Sequence, residues 1–184
     1  MRRALVLAVC AMSLSGCAAY TLVEPKSVSM ADFVVDSQIR WSSITNGQWE
    51  LWTVDGPGLQ SLQFLKGLPH NDPLFSRGDD KRPRFRKDMT PTELVEFVAD
   101  SLVATGAQQM AASNLRPTKL ADIDGFRFDL AFATKDGLDK RGFVVGFIKK
   151  EKLYLVLYQG TADHYYGKHL ADVERVVQSI RSTR

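Results

Sequence analysis

The chain has 184 residues, 45% of them hydrophobic and 24% charged, with 24 Lys and Arg against 21 Asp and Glu. A formal charge of +3 is too small to supply the electrostatic footprint that nucleic acid requires, which excludes that class of partner. Both cysteines, Cys10 and Cys17, fall near the start, so the domain that follows is held by its apolar core and not by disulfides.

Met1-Arg2-Arg3 precedes an uncharged run from Ala4 to Leu14. A helix of that length rises only about 16 Å, against roughly 30 Å of hydrocarbon in a bilayer, so the run has the form of an export signal and not of a permanent span. Leu14-Ser15-Gly16-Cys17 follows and resembles the bacterial lipobox. That resemblance implies a signal peptide over residues 1–16, cleavage before Cys17, and acylation of the Cys17 thiol and the new amino group. Each buried methylene contributes about 0.8 kcal/mol, so two or three chains anchor stably where one does not. Cys10 would leave with the signal, and without Arg2 and Arg3 the formal charge would be +1. Ala18 occupies the position at which an Asp would resemble an inner-membrane retention signal, so the expected location is the outer membrane, facing the periplasm.

Residues 17–37 are expected to be the lipidated N-terminus and tether, with a short β-prone piece from Tyr20 to Val23 that Pro25 ends. Residues 38–184 are expected to form a single domain. Within it, Ile39–Thr45 and Gln48–Val54 flank Asn46-Gly47, a dipeptide suited to both centres of a type I′ hairpin turn. Leu59–Leu65 is compatible with a strand or a helical turn. The segment 67–89 carries three prolines, two glycines and ten charged residues without a period, and is either a functional loop or disorder.

Thr90-Pro91-Thr92-Glu93 has the form of a capping box with Pro at the first helical position. Leu94, Phe97, Val98 and Leu102 then make one apolar stripe, and Gly106 is placed to end the helix. A β-prone stretch runs to Ile123. Phe126, Phe128, Leu130 and Phe132 alternate with polar residues, as in a half-buried strand. Phe143–Ile148 and Leu153–Tyr158 are apolar almost throughout, which predicts central strands covered on both faces. The short connections at Asp136-Gly137 and Lys149–Lys152 make these three strands antiparallel neighbours. Leu170, Val173, Val177 and Ile180 predict a last helix packed on the sheet, with Arg175, Gln178 and Arg181 facing outward and Asp163 as a candidate N-cap. The fold class is α+β, a mostly antiparallel sheet with helices packed on it.

The order of elements from Thr90 to Arg184, with Asp124-Gly125-Phe126, Leu153-Tyr154-Leu155 and the Val176-Val177-Gln178-Ser179-Ile180 ending, resembles the PsbP-like family. That family is an α/β/α sandwich that includes an extrinsic photosystem subunit, a Ran-binding protein and many bacterial lipoproteins. What the resemblance implies is a non-enzymatic binding or assembly role.

The residues themselves offer little catalytic chemistry. His164 and His169 are five apart and straddle Gly167, a poor spacing for a shared metal on one helix face. No Gly-x-Ser-x-Gly, dinucleotide fingerprint or P-loop is present. Asp79-Asp80 sit in a basic loop, where ion pairing is expected and acid–base work is not. Three contact surfaces are candidates. The basic run Arg77, Lys81, Arg82, Arg84, Arg86 and Lys87 suits anionic head groups. Trp49 and Trp52, three apart on a strand, face opposite sides, and Trp41 joins them as an aromatic. His164, Tyr165, Tyr166 and His169 form a polar aromatic corner that could line a ligand cleft.

The expectation is a cell-envelope lipoprotein held in membrane lipid through acylated Cys17, acting as a binding or assembly module for an envelope protein partner, with no cofactor. The second reading is a carrier of a small hydrophobic or anionic ligand bound near Tyr165, Tyr166 and His169. The third is a hydrolase with an unrecognised site.

Overall fold

A computed structural model describes residues 20–76, 82–120 and 122–183. The signal peptide, Cys17, Arg77, Lys81 and Asp79-Asp80 lie outside the described residues.

An eight-stranded antiparallel sheet forms the middle layer. Its strands are β1 (Thr21–Val23), β4 (Trp41–Asn46), β5 (Trp49–Thr53), β6 (Gln60–Leu68), β10 (Lys152–Thr161), β9 (Asp139–Lys149), β8 (Ile123–Ala133) and β7 (Gln108–Leu120), in that spatial order. A smaller sheet, β11 (Arg181–Ser182), β3 (Phe33–Asp36) and β2 (Ser27–Met30), lies with α3 (Leu170–Gln178) on one side of it. Helix α1 (Pro91–Ala104) lies on the other, and the short α2 (Tyr165–Lys168) joins β10 to α3. The protein is therefore an α+β domain built on a mostly antiparallel sheet.

The two central strands separate two apolar cores. Phe143, Val145 and Phe147 of β9, with Tyr154, Val156 and Tyr158 of β10, meet Phe33, Val35, Val173 and Val177. On the opposite face, Leu153, Leu155 and Leu157 of β10 and the Phe126, Phe128, Leu130 and Phe132 row of β8 meet Leu94, Phe97, Val98 and Leu102 of α1. Continuous apolar runs thus occur here in antiparallel strands, because both faces are covered.

The capping box forms as the sequence dictates: the Glu93 amide donates to Thr90 Oγ1 at 3.3 Å and the Thr90 amide donates to Glu93 Oε2 at 2.8 Å. Gly106 follows the helix at φ +110°, a conformation open to glycine.

Four expectations need correction, and one left open, the segment 67–89, is decided for its described parts. The segment 20–37 is no tether: β1 pairs with β4, and Met30, Phe33 and Val35 are fully buried, since the smaller sheet closes one core. The first hairpin pairs Asn46 with Trp49, so Gly47 and Gln48 are the turn centres. Only Gly47, at φ +60°, has positive φ, which fits a turn with glycine first and not the expected type I′. The described parts of 67–89 are ordered by a bridge between Pro73 and Arg84 and by burial of Leu74 and Phe85 under α1. Asp163 does not cap a helix: His164 precedes α2 and makes no side-chain cap bond. Arg181 has left the helix for β11, where it pairs with Asp36 at 2.8 Å.

Candidate binding groove

Helix α1 has 14 residues, about 21 Å of cylinder, and leaves part of the sheet face uncovered beyond its C-terminal turn. A groove of about 1000 Å³ occupies that space, between Leu102 of α1, Thr105 that caps its C-terminus, the tip of the β4–β5 hairpin and the segment 72–76. Its apolar lining includes Trp49, Leu68, Leu74, Phe75 and Leu157. A second arm of about 300 Å³ shares Leu102, Thr105 and Gln159 with it and continues over Phe132 to Lys135 and Lys140.

The register explains the floor. Leu153, Leu155, Leu157 and Gln159 point to the same face of β10, and β6 presents Leu65, Gln63 and Ser61 there, with Leu157 opposite Gln63 and Gln159 opposite Ser61. The apolar rows therefore end in a polar set where α1 stops. Ser61 Oγ accepts from Gln63 Nε2 at 3.0 Å and from Gln159 Nε2 at 3.3 Å. At one end, Trp49 donates from Nε1 to the Leu74 carbonyl at 3.0 Å and stacks on Phe75 with 5.5 Å between ring centres. At the other, the Lys140 ammonium donates to the Gly58 carbonyl, and burial pushes its pKa below the ordinary lysine value.

Of the residues singled out from sequence, Trp49 lines the groove, while the polar aromatic corner lies elsewhere. His164, Tyr165, Tyr166 and His169 do come together, but across the sheet from the groove. Tyr166 stacks on Tyr158, whose hydroxyl donates to the Tyr166 carbonyl at 2.8 Å. His164 meets Tyr165 edge to face. His169 Nε2 lies 2.7 Å from Asp55 Oδ2, and Lys168 Nζ 2.6 Å from Oδ1. The Lys168 ammonium, with His169 beside it, holds the Asp55 carboxyl below the usual carboxylate range. These contacts join α2 to the β5–β6 turn and fill the corner.

In the basic segment, Arg82 donates to the Phe75 and Ser76 carbonyls and Arg84 to that of Asn71. Arg86 pairs with Glu93 at 2.7 Å and Lys87 with Glu151 at 2.5 Å. These cations pin the segment to the domain, while Arg84, Arg86 and Lys87 stay exposed to solvent. Trp41 and Trp52 are fully buried in the α3-side core and Trp49 faces the groove, so Trp49 and Trp52 do face opposite sides. Among the described residues, no three His, Cys, Asp or Glu side chains are grouped to hold a metal ion. Sequence reasoning missed Gln63, Gln159 and Lys140. The available signal was Gln159 directly after the apolar run of β10, on its α1 side.

The protein is thus a three-layer α+β domain with an amphipathic groove beside its first helix. No protein-family model and no curated protein matches the chain. Among solved structures it is similar to a crystal structure from Bacteroides thetaiotaomicron, at 12% identity and a TM-score of 0.52 over 88% of this chain and 50% of that one. The chain spans half the length of that protein. It is also similar to the Saccharomyces cerevisiae Ran-binding protein Mog1p, at 10% identity and a TM-score of 0.51 over 90% of this chain and 96% of that one. The similar structures include cyanobacterial PsbP from Synechocystis, at 12% identity and a TM-score of 0.49 over 95% and 99% of the two chains. The likeness to Mog1p is one of fold: the same α+β architecture, built from a very different sequence.

Proposed function

We propose that this protein is a membrane-tethered lipoprotein of the cell envelope whose domain is a non-enzymatic binding module, with the groove beside α1 as its binding surface. The carrying observation is the groove itself: a cleft at the end of α1 whose lining mixes apolar residues such as Trp49 and Phe75 with the polar Gln63, Gln159 and Asp72, the concave mixture in which binding sites are generally built. A Ran-binding protein of the same fold supports a binding role for the architecture.

The tether rests on Leu14-Ser15-Gly16-Cys17, and Ala18 favours the outer membrane, facing the periplasm. Strand β1 starts at Thr21, so only three residues separate it from Cys17, a reach of roughly 10 Å. An acylated Cys17 would hold the domain directly at the head groups, with the exposed Arg84, Arg86 and Lys87 available to anionic lipid. An envelope protein partner would meet it there.

Native mass spectrometry of the chain, extracted from membranes in mild detergent, tests this reading. The expected result is a mass raised by acyl chains on Cys17, plus a non-covalent adduct that a groove-filling Gln63→Trp variant loses. An unmodified chain that stays in the soluble fraction would end the lipoprotein assignment. An adduct indifferent to Gln63→Trp would end the assignment of the groove.

A further inference from the structure

The two arms of the groove form one trough with unlike ends. Lys140 is 6% exposed, its ammonium donates to the Gly58 carbonyl, and the Leu59 carbonyl lies 3.5 Å away. An ammonium carries three donors and a full charge, so two neutral carbonyls leave one N–H and the charge uncompensated. Lys135 joins it at the mouth: its stem lies across Gly106, where an added Cβ would come within 2.2 Å of Lys135 Cε. Among the described residues neither lysine pairs with a carboxylate.

The opposite end carries the aromatic pair Trp49 and Phe75 above the buried Leu68 and Leu157, and the acidic residue lining it is Asp72. An anion is therefore attracted at one end and repelled at the other. Any elongated, singly charged occupant has its direction fixed.

From this juxtaposition we propose that the trough holds a long-chain fatty-acid anion, its carboxylate at Lys140 and Lys135 and its hydrocarbon chain laid over Leu102 and Leu157 to end against Trp49 and Phe75. This deepens the binding-module reading by naming the ligand class. The narrow arm of about 300 Å³ accepts the carboxylate and first methylenes of one chain, and the wider arm accepts the rest. Gln63 and Gln159, whose amide nitrogens are taken up by Ser61, form the polar stripe that the chain crosses.

The test uses the full chain with Cys17→Ala, so that no acyl group of its own competes, and 11-(dansylamino)undecanoic acid as the fluorescent probe. Palmitate should displace the probe and hexadecanol should not, because the alcohol offers the same chain without the charge. Lys140→Met should weaken palmitate by about tenfold or more, the scale of a lost charge-assisted hydrogen bond. Lys140→Arg should retain binding, and Gln63→Trp, which fills the trough from its floor, should abolish it. Equal displacement by palmitate and hexadecanol, full affinity in a folded Lys140→Met, or no probe binding would each overturn the proposal. None of these results alters the mass of the membrane-extracted chain, so the lipoprotein reading stands or falls separately.

Discussion

At the scale of single residues, charge is placed where it joins layers. Arg127 on β8 donates to both oxygens of Glu174 on α3, one at 2.8 Å, and lies 3.9 Å above the Phe143 ring. The Arg127 side chain is only 16% exposed, so removing its partner strands a cation in poorly solvated surroundings. Glu174→Leu should therefore cost on the order of 1–3 kcal/mol, and the double change Arg127→Met with Glu174→Leu should cost less than Glu174→Leu alone. Urea unfolding of the three variants checks this, and a double variant worse than the single would contradict it.

Three aspartates act similarly through pH. Hydrogen bonding from Tyr154 lowers the pKa of Asp32, from Arg181 that of Asp36, and from Lys168 that of Asp55. Their unfolded values lie near 3.9, so below that pH the unfolded chain binds more protons than the fold does. The stability they contribute is fully present above about pH 5 and is lost as pH falls through the unfolded value to the lower folded ones. Urea midpoints should accordingly decline below about pH 4. Asp55→Asn should flatten part of that decline, and an unchanged acid limb in the variant would remove Asp55 from the account.

At the scale of elements, local signals decided some boundaries and packing decided others. The Thr90 capping box makes α1 start where the sequence says, and Thr90→Ala should lower stability by about 1 kcal/mol, measurable as a shift in the denaturation midpoint. Strand β7 could not be bounded that way. It is exposed at nearly every position, and it kinks at Gln109 and Asn114, both at positive φ, where its pairing with β8 shifts. Such bulges protect a long edge strand from pairing with other chains. Sequence alone makes residues 20–37 a tether in which Pro25 ends the short β-prone piece Tyr20–Val23. They fold because three of them, Met30, Phe33 and Val35, complete a core built by distant strands. Phe33→Ala should then cost about 3–5 kcal/mol, and a chain beginning at residue 38 should fail to give a cooperative thermal transition. A stable truncated domain would restore the tether.

At the scale of the whole molecule, one sheet separates two unequal coverings. The α3 side is closed by a helix, the smaller sheet and the tyrosine corner, and the α1 side stays open where α1 ends. Among the described residues no helix is long and apolar enough to cross a membrane. Cys17→Ala should move the protein from the membrane to the soluble fraction with its circular dichroism unchanged, and continued sedimentation with membranes would count against the anchor.

By itself the sequence determined the class of fold, α1 with its cap, the β8–β9–β10 meander and its two-faced burial, because periodicity and capping act over a few neighbouring residues. Only the tertiary structure decided which face stays open, that β1 to β3 belong to the domain, and that Ser61, Gln63, Lys140 and Gln159 share one floor. Those residues come from three strands brought side by side by pairing, and their juxtaposition depends on the register between strands, which no local pattern in the chain encodes.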